Sequence, residues 1–257
     1  MIENMHAVVL AGGEGTRMKS QLPKVLHKVK GKPMIEYVLE AVNEAGICET
    51  GVVVGFKAEA IKNYFKWNKK LSWFYQNKQL GSANALLSAD SFLDNDNQLL
   101  VLCADTPLIK AKTLKNFVQF HLNNDNDISI LTAKLENPFG YGRILKDNKG
   151  LVVKIVEEKD ASDEERSISE VNSGIYCFRN KNIKSFLKKI KPDNAKNEYY
   201  LTDLVELIAK SGRRVESFPV ENTIEITGIN SRDQLIMVEE LINKRSLKNS
   251  LGSASSP

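Results

Sequence analysis

Short runs in which every residue is apolar, Ala7–Leu10, Gly51–Val54 and Leu99–Cys103, alternate with stretches whose apolar residues recur at helical spacing, as Met34, Tyr37, Val38, Ala41, Val42 and Ala45 do. A strand with one wet face alternates polar and apolar side chains, so strands apolar throughout must be covered on both faces. Such strands, separated by amphipathic helices, predict an α/β fold with a doubly wound, mostly parallel sheet. Sheets of this kind place ligands beyond the carboxyl ends of their strands. Here those ends are the loop Ala11-Gly12-Gly13 and the turn at Asp105.

From Asp127 the pattern shortens. Strand-like pieces at 128–133, 142–145, 151–156 and 175–178 are joined by polar turns such as Asp147-Asn148-Lys149-Gly150. Helices are expected at 183–189, at 200–211 beginning with Tyr199 and Tyr200, and from about 233 to 247, with a strand at 215–220. Neither a repeat nor a hexapeptide period is present.

The charge balance, 36 basic against 32 acidic residues for a net +4, is spread along the chain with no basic block, which suits small phosphorylated ligands better than nucleic acid. Trp67 and Trp73 show no interleaving with basic residues, and His6, His27 and His121 show no metal spacing. No apolar run reaches bilayer length and no basic leader precedes the first strand, so a cytoplasmic chain without a membrane partner is expected. Cys48, Cys103 and Cys177 stand apart and form no CxxC pair, as reduced thiols would.

The segment Leu10-Ala11-Gly12-Gly13-Glu14-Gly15-Thr16-Arg17-Met18, continued to Leu22-Pro23-Lys24, combines glycines and cations directly after the first strand. Glycines let backbone amides approach a phosphate, and Arg17 and Lys24 can neutralise it. The spacing fits neither the dinucleotide GxGxxG nor a P-loop ending in GK[ST].

This segment resembles the signature of nucleoside-diphosphate-sugar pyrophosphorylases. Later motifs occur in the same order: Gln79-Leu80-Gly81, Asp105 before Pro107-Leu108, Gly140-Tyr141-Gly142-Arg143-Ile144, Ile155-Val156-Glu157, Glu170-Val171-Asn172, Glu198 to Asp203, and Gly228-Ile229-Asn230. Together they resemble the uridylyltransferase domain of the bacterial bifunctional family that makes UDP-N-acetylglucosamine. The resemblance implies a Rossmann-like, glycosyltransferase-A type fold. It also implies Mg²⁺-dependent uridylyl transfer from UTP to N-acetylglucosamine 1-phosphate with release of pyrophosphate. It implies Arg17 and Lys24 as catalytic cations, Leu10, Ala11, Gly12, Gly13, Gln76, Gly81 and Ser82 around the nucleotide, and Gly140, Glu157 and Asn172 around the sugar phosphate. Asp105 and Asn230 are the implied metal ligands.

The same residues have plainer readings. Asp105, Asn172 and Asn230 suit turns, and Glu157 lies in a charge run of the kind that faces solvent. Another sugar phosphate or nucleoside triphosphate, or a non-catalytic sugar-nucleotide sensor, remains open. Ser82-Ala83-Asn84 stands where the family has Thr-Gly-His, and Glu14 stands where it has Lys. The expected organisation is a nucleotidyltransferase domain over 1–229, divided near 110 into nucleotide and sugar-phosphate parts, then a linker-like helix over 230–250 and a disordered tail over 251–257. Without hexapeptide repeats neither acetyl transfer nor a trimer is expected, but a monomer or weak homo-oligomer.

Overall fold

The computed structural model describes residues 4–252 apart from Cys48 and Asn95, with 244–252 described by backbone alone. In chain order the strands are β1 (Met5–Ala11), β2 (Lys28–Val29), β3 (Lys32–Pro33), β4 (Glu49–Val54), β5 (Leu71–Tyr75), β6 (Gln98–Cys103), β7 (Ile128–Lys134), β8 (Arg143–Lys146), β9 (Val152–Val156), β10 (Glu170–Arg179) and β11 (Val215–Pro219). The α-helices are α1 (Met34–Glu44), α2 (Ala58–Tyr64), α3 (Ser82–Leu87), α4 (Asp90–Leu93), α5 (Ala111–Asn123), α6 (Asp163–Arg166), α7 (Ile183–Leu187), α8 (Asp203–Lys210) and α9 (Arg232–Gly252).

The main sheet is ordered β11-β7-β10-β6-β1-β4-β5. β6, β1, β4 and β5 pair in parallel, as do β7 and β11, and within this path β10 alone runs antiparallel, between β6 and β7. β8 leaves the path to pair with β10 at Val171 and with β9 beside it.

The apolar strands are explained by what covers them. Along β1, Ala7, Val9 and Ala11 enter one core cluster with α1 and α5, while Val8 enters the other with α3, α7 and α8. The same alternation divides Leu100 and Leu102 from Leu99 and Val101 on β6, and Val52 and Val54 from Val53 on β4. The valines and leucines among these are inaccessible to solvent, so truncating a large one, Leu102→Ala for example, costs about 2–5 kcal/mol.

Three expectations are corrected. The strand expected at 175–178 begins at Glu170, because a bulge between Asn172 and Ile175 carries polar residues inside a longer ladder. Tyr199 and Tyr200 precede α8 rather than start it. The Tyr199 amide donates to the Leu80 carbonyl and the Tyr199 carbonyl accepts from Ala83, which holds this backbone against the start of α3. Finally, α9 reaches Gly252, so 251 and 252 belong to the helix rather than to a tail. Residues 253–257, and Cys48 among the expected free thiols, lie outside the described residues; Cys103 and Cys177 are free.

Helix α9 is anchored near its start. Between β2 and β3, Lys30 and Gly31 take the positive φ that a two-residue hairpin turn requires. Val29 and Met34 there pack with Ile229 and Val238, and the Lys30 amide donates to Glu239 at 2.9 Å.

Candidate active site

The loop after β1 is shaped by close approach. A Cβ on Gly12 would stand 2.6 Å from the Gln76 Oε1, and one on Gly55, at the end of β4, would stand 2.8 Å from the Gly12 carbonyl. That carbonyl accepts from the Phe56 amide at 3.1 Å, which locks the two strand ends together. Gly15 takes φ 63 and would strike the Lys24 Cβ, so it too has no room for a side chain. The buried Met18 pins the short helical turn Thr16–Met18 that follows.

Lys24 begins a second short helical turn, after Pro23. Its ammonium pairs with the Asp105 carboxylate and donates to the Asn230 Oδ1 at 3.1 Å. Arg17 donates to the same Asn230 oxygen at 2.8 Å. Asp105 sits just past β6, and its side chain caps no helix: the Thr106 hydroxyl takes the Cys103 carbonyl, and the Asp105 carbonyl accepts from Ile229 at 2.9 Å. That last bond brings Asn230 to the end of β6. Arg232 then donates to the Met18 and Lys19 carbonyls at 3.2 and 3.3 Å, so the start of α9 closes over the glycine loop.

Leu10, Ala11, Gly12, Gly13, Lys24, Gln76, Gly81, Ser82 and Asp105 line one cleft of about 570 Å³, and Arg17 and Asn230 join it through the bonds just given. Glu14, Gln79, Cys103 and Glu198 also line it. Gly81, with φ 117, lies against the Tyr199 backbone, where a Cβ would stand 2.5 Å from the carbonyl oxygen. The Ser82 hydroxyl accepts from the Leu201 amide at 2.9 Å.

Gly140, Glu157 and Asn172 do not line this cleft. Glu157 and Asn172 flank Gly142, whose Cβ position would lie 3.4 Å from Glu157 Oε1 and 3.6 Å from Asn172 Cβ. The Asn172 carboxamide donates to the Tyr176 hydroxyl at 2.7 Å and accepts from the Gly174 amide at 3.0 Å. Gly140 stands apart: no atom lies within 4 Å of its Cβ position, and its amide donates to Glu158 at 3.0 Å. Glu158 in turn accepts from Arg143 at 2.7 Å, a guanidinium that is almost wholly buried and also donates to the Tyr141 carbonyl. The two groups of residues meet at Cys103, whose thiol faces the Gly174 carbonyl at 3.8 Å.

Burial dominates the ionisation of this floor. It pushes the Cys103 thiol up to about 12, with Asp105 adding to the rise, and raises Tyr176 well above the ordinary phenol. Burial likewise raises Glu157. Arg143 and the Gly140 amide hold Glu158 below the usual carboxylate range. Cys103 therefore stays a neutral thiol at neutral pH and cannot act as a nucleophile.

Sequence reasoning missed two contributors. Arg232 carries no motif, and its targets are backbone carbonyls that no pattern marks. Asn84 was seen only as a departure from a family pattern, yet its Oδ1 accepts from the Gln76 Nε2 at 3.0 Å. His121 is buried between Ser129 and Gln98, and burial lowers it to about 4. Among the described residues no helix is long and apolar enough to cross a membrane.

The model of the nucleotidyl transferase family matches residues 6–223. The chain is similar to the bifunctional protein GlmU of Pelotomaculum thermopropionicum, 48% identical over 246 residues that make up 95% of this chain and 53% of that protein. It is 41% identical over 242 residues to the bifunctional protein GlmU of Clostridioides difficile, covering 94% of this chain and 52% of that one. The chain thus spans about half the length of the curated relatives it matches. Its fold is similar to that of a UDP-glucose pyrophosphorylase solved with UDP-glucose, with TM-score 0.76 and 22% identity over 93% of this chain and 98% of that one. The apo form of a UDP-glucose pyrophosphorylase gives TM-score 0.75 and 20% identity over 94% and 98%.

Proposed function

We propose, for a chain that belongs to the nucleotidyl transferase family, that it transfers a uridylyl group from UTP to N-acetylglucosamine 1-phosphate, giving UDP-N-acetylglucosamine and pyrophosphate. One observation carries this reading. Two cations, Arg17 and Lys24, and two oxygen donors, Asp105 and Asn230, converge beside a glycine loop at the carboxyl ends of β1 and β6. Charge neutralisation of this kind is what nucleotidyl transfer most needs, because the reaction asks little covalent chemistry of the protein.

In this reading residues up to about 110 hold the nucleotide and 111–229 the sugar phosphate. Leu10–Gly13 and Gly15 bring backbone against the triphosphate, Gln76, Gly81 and Ser82 meet the base end, and Gly140, Glu157 and Asn172 meet the sugar. The donor chemistry fits Mg²⁺: Asp105 and Asn230 offer hard oxygens already turned toward one cationic group, the Lys24 ammonium. Asp105 and Asn230 would hold Mg²⁺, and bound there it would neutralise negative charge on the triphosphate.

The chain's own groups do the rest. A phosphate oxygen of the sugar phosphate, ionised at neutral pH without a general base, forms a bond to the α-phosphorus, and the bond from that phosphorus to the β-phosphate bridging oxygen breaks. Arg17 and Lys24 turn from Asn230 and Asp105 onto the phosphates and stabilise the charge that develops there.

The test is pyrophosphate release with Mg²⁺, each nucleoside triphosphate and a panel of sugar 1-phosphates. Turnover confined to UTP with N-acetylglucosamine 1-phosphate is expected, and Asp105→Ala should lower it on the order of a thousandfold. Preference for another sugar would replace the acceptor, and silence with every pair would end the catalytic reading in favour of a sugar-nucleotide sensor.

A further inference from the structure

The Gln76 side chain is buried, lines the cleft and has both hydrogens of its carboxamide nitrogen engaged. Nε2 donates to the Gly81 carbonyl at 3.1 Å and to the Asn84 Oδ1 at 3.0 Å. The first partner settles which end of the carboxamide is nitrogen, since a carbonyl oxygen can only accept. Turning the group over would set oxygen against oxygen at Gly81, and at Asn84 as well unless that carboxamide turned too. Oε1 is therefore directed at the glycine loop, 2.6 Å from where a Gly12 Cβ would stand, and accepts no hydrogen bond among the described residues. Gly81 also lines the cleft, and its amide donates to nothing among the described residues, although the Gly81 carbonyl is shared by Gln76 and the first turn of α3. The cleft is thus lined by one acceptor and one backbone donor that have no partner among the described residues.

Resting on the uridylyl-transfer reading, we infer that Asn84 is a positioning residue for base selection, holding the Gln76 carboxamide so that its oxygen faces the ligand and the site accepts a pyrimidine with a ring N–H beside a carbonyl. Uracil and thymine carry that imide edge. Cytosine carries the reverse, a ring nitrogen that accepts beside an amino group that donates, so it meets acceptor with acceptor and donor with donor. A site built to pair buried polar groups rejects a ligand that leaves them mispaired. Asn84 lies on the first turn of α3, half-buried, and reaches the base only through Gln76. The Asn84 carbonyl accepts from the Ser88 hydroxyl at 3.2 Å, which leaves substitution of the side chain without effect on that bond.

The experiment compares kcat/KM for UTP and for CTP in the wild-type chain, Asn84→Ala and Asn84→Asp, with melting temperatures alongside. Asn84→Ala removes the acceptor, and the UTP-to-CTP ratio should fall about tenfold, through a higher KM for UTP with kcat little changed. Asn84→Asp keeps an oxygen for Nε2 and should keep the ratio within about twofold, so that the loss in Asn84→Ala follows the missing acceptor rather than the substitution itself. A folded Asn84→Ala with the wild-type ratio overturns the inference, as does an Asn84→Asp that loses the ratio entirely. Should Asn84→Ala fail to fold, Asn84→Leu, which also lacks the acceptor and fills nearly the same volume, takes its place with the same expectation. A wild-type chain that prefers CTP overturns the inference while leaving nucleotidyl transfer standing, whereas one that releases pyrophosphate with no triphosphate removes the underlying reading and this inference together.

Discussion

The two halves of the site are held in different ways. Around the glycine loop the backbone is fixed by other backbone and by side chains pressed into the space where Cβ atoms would stand, at Gly12, Gly55 and Gly81. At Gly140 that space is open, and the turn is held by a chain of charge: its amide on Glu158, Glu158 on Arg143, and Arg143 on the Tyr141 carbonyl. Packed shape tolerates no added methyl group and is indifferent to proton concentration. A charge-held turn tolerates the methyl group better and answers to pH.

The sharpest way to break this comparison is alanine at one glycine of each kind. Gly81→Ala would place a methyl group 2.5 Å from the Tyr199 carbonyl oxygen and 2.7 Å from its nitrogen, in a backbone conformation that side chains resist. A loss of at least about a hundredfold in kcat/KM for UTP is expected, together with a lower melting temperature. Gly140→Ala meets no atom and carries only the strain of φ 87, about 1–2 kcal/mol, so its loss should stay near tenfold and fall on the acceptor. Equal losses in steady-state kinetics would erase the distinction.

A second, smaller effect should come from Glu158→Gln. It leaves the buried Arg143 without its carboxylate, and urea unfolding should show a loss of about 2 kcal/mol. The acceptor KM should rise while the UTP KM holds, and a parallel rise in both would mean that the two halves are not independently held.

The smallest effects are those of pH, and they carry opposite signs. Glu158 sits below its usual 4.5 in the folded chain, so it stabilises above that value and the contribution is lost as pH falls through the lowered pKa. Asp203, on α8 behind the same half, is pushed up to about 6 by burial from its usual 3.8. Between those values the folded chain binds the proton better than the unfolded one, so stability falls as pH rises through that window. Asp203→Asn should therefore raise the melting temperature by about 2 °C at pH 7 and leave it unchanged at pH 3, while Glu158→Gln should flatten the acid limb below pH 4.5. Scanning calorimetry across pH 3–7 reads both.

What the sequence made legible follows this same division. The strand–glycine–helix rhythm announced β1, β4 and β6 and put the loop and Asp105 at one end of the sheet, because burial on both faces leaves a direct mark in hydropathy. The direction of β10 was not legible, since parallel and antiparallel strands bury the same residues, and its polar start at Glu170–Gly174 hid half its length. The hairpin at Lys28–Pro33 and helix α5 passed unannounced. The family motif named Asn230 and Asp105, but the convergence of Arg17, Lys24 and Asn230 on one point depends on folding, as does the grip of Asn84 on Gln76. Such contacts leave no local signal, because their partners are chosen by the sheet and not by neighbours in the chain.

The bond from Arg17 to Asn230 spans 213 positions. On a ribosome the glycine loop is made 213 residues before its partner Asn230, an interval on the order of ten seconds or more at usual rates of synthesis. During that interval β1, β4 and β6 can form their ladder, yet Arg17 and Lys24 wait with their charges unanswered by Asn230 and with Arg232 not yet clasping Met18 and Lys19. The emerging chain acquires its parallel β6-β1-β4-β5 ladder long before it acquires a finished cleft, so ligand capture is deferred until the start of α9 arrives.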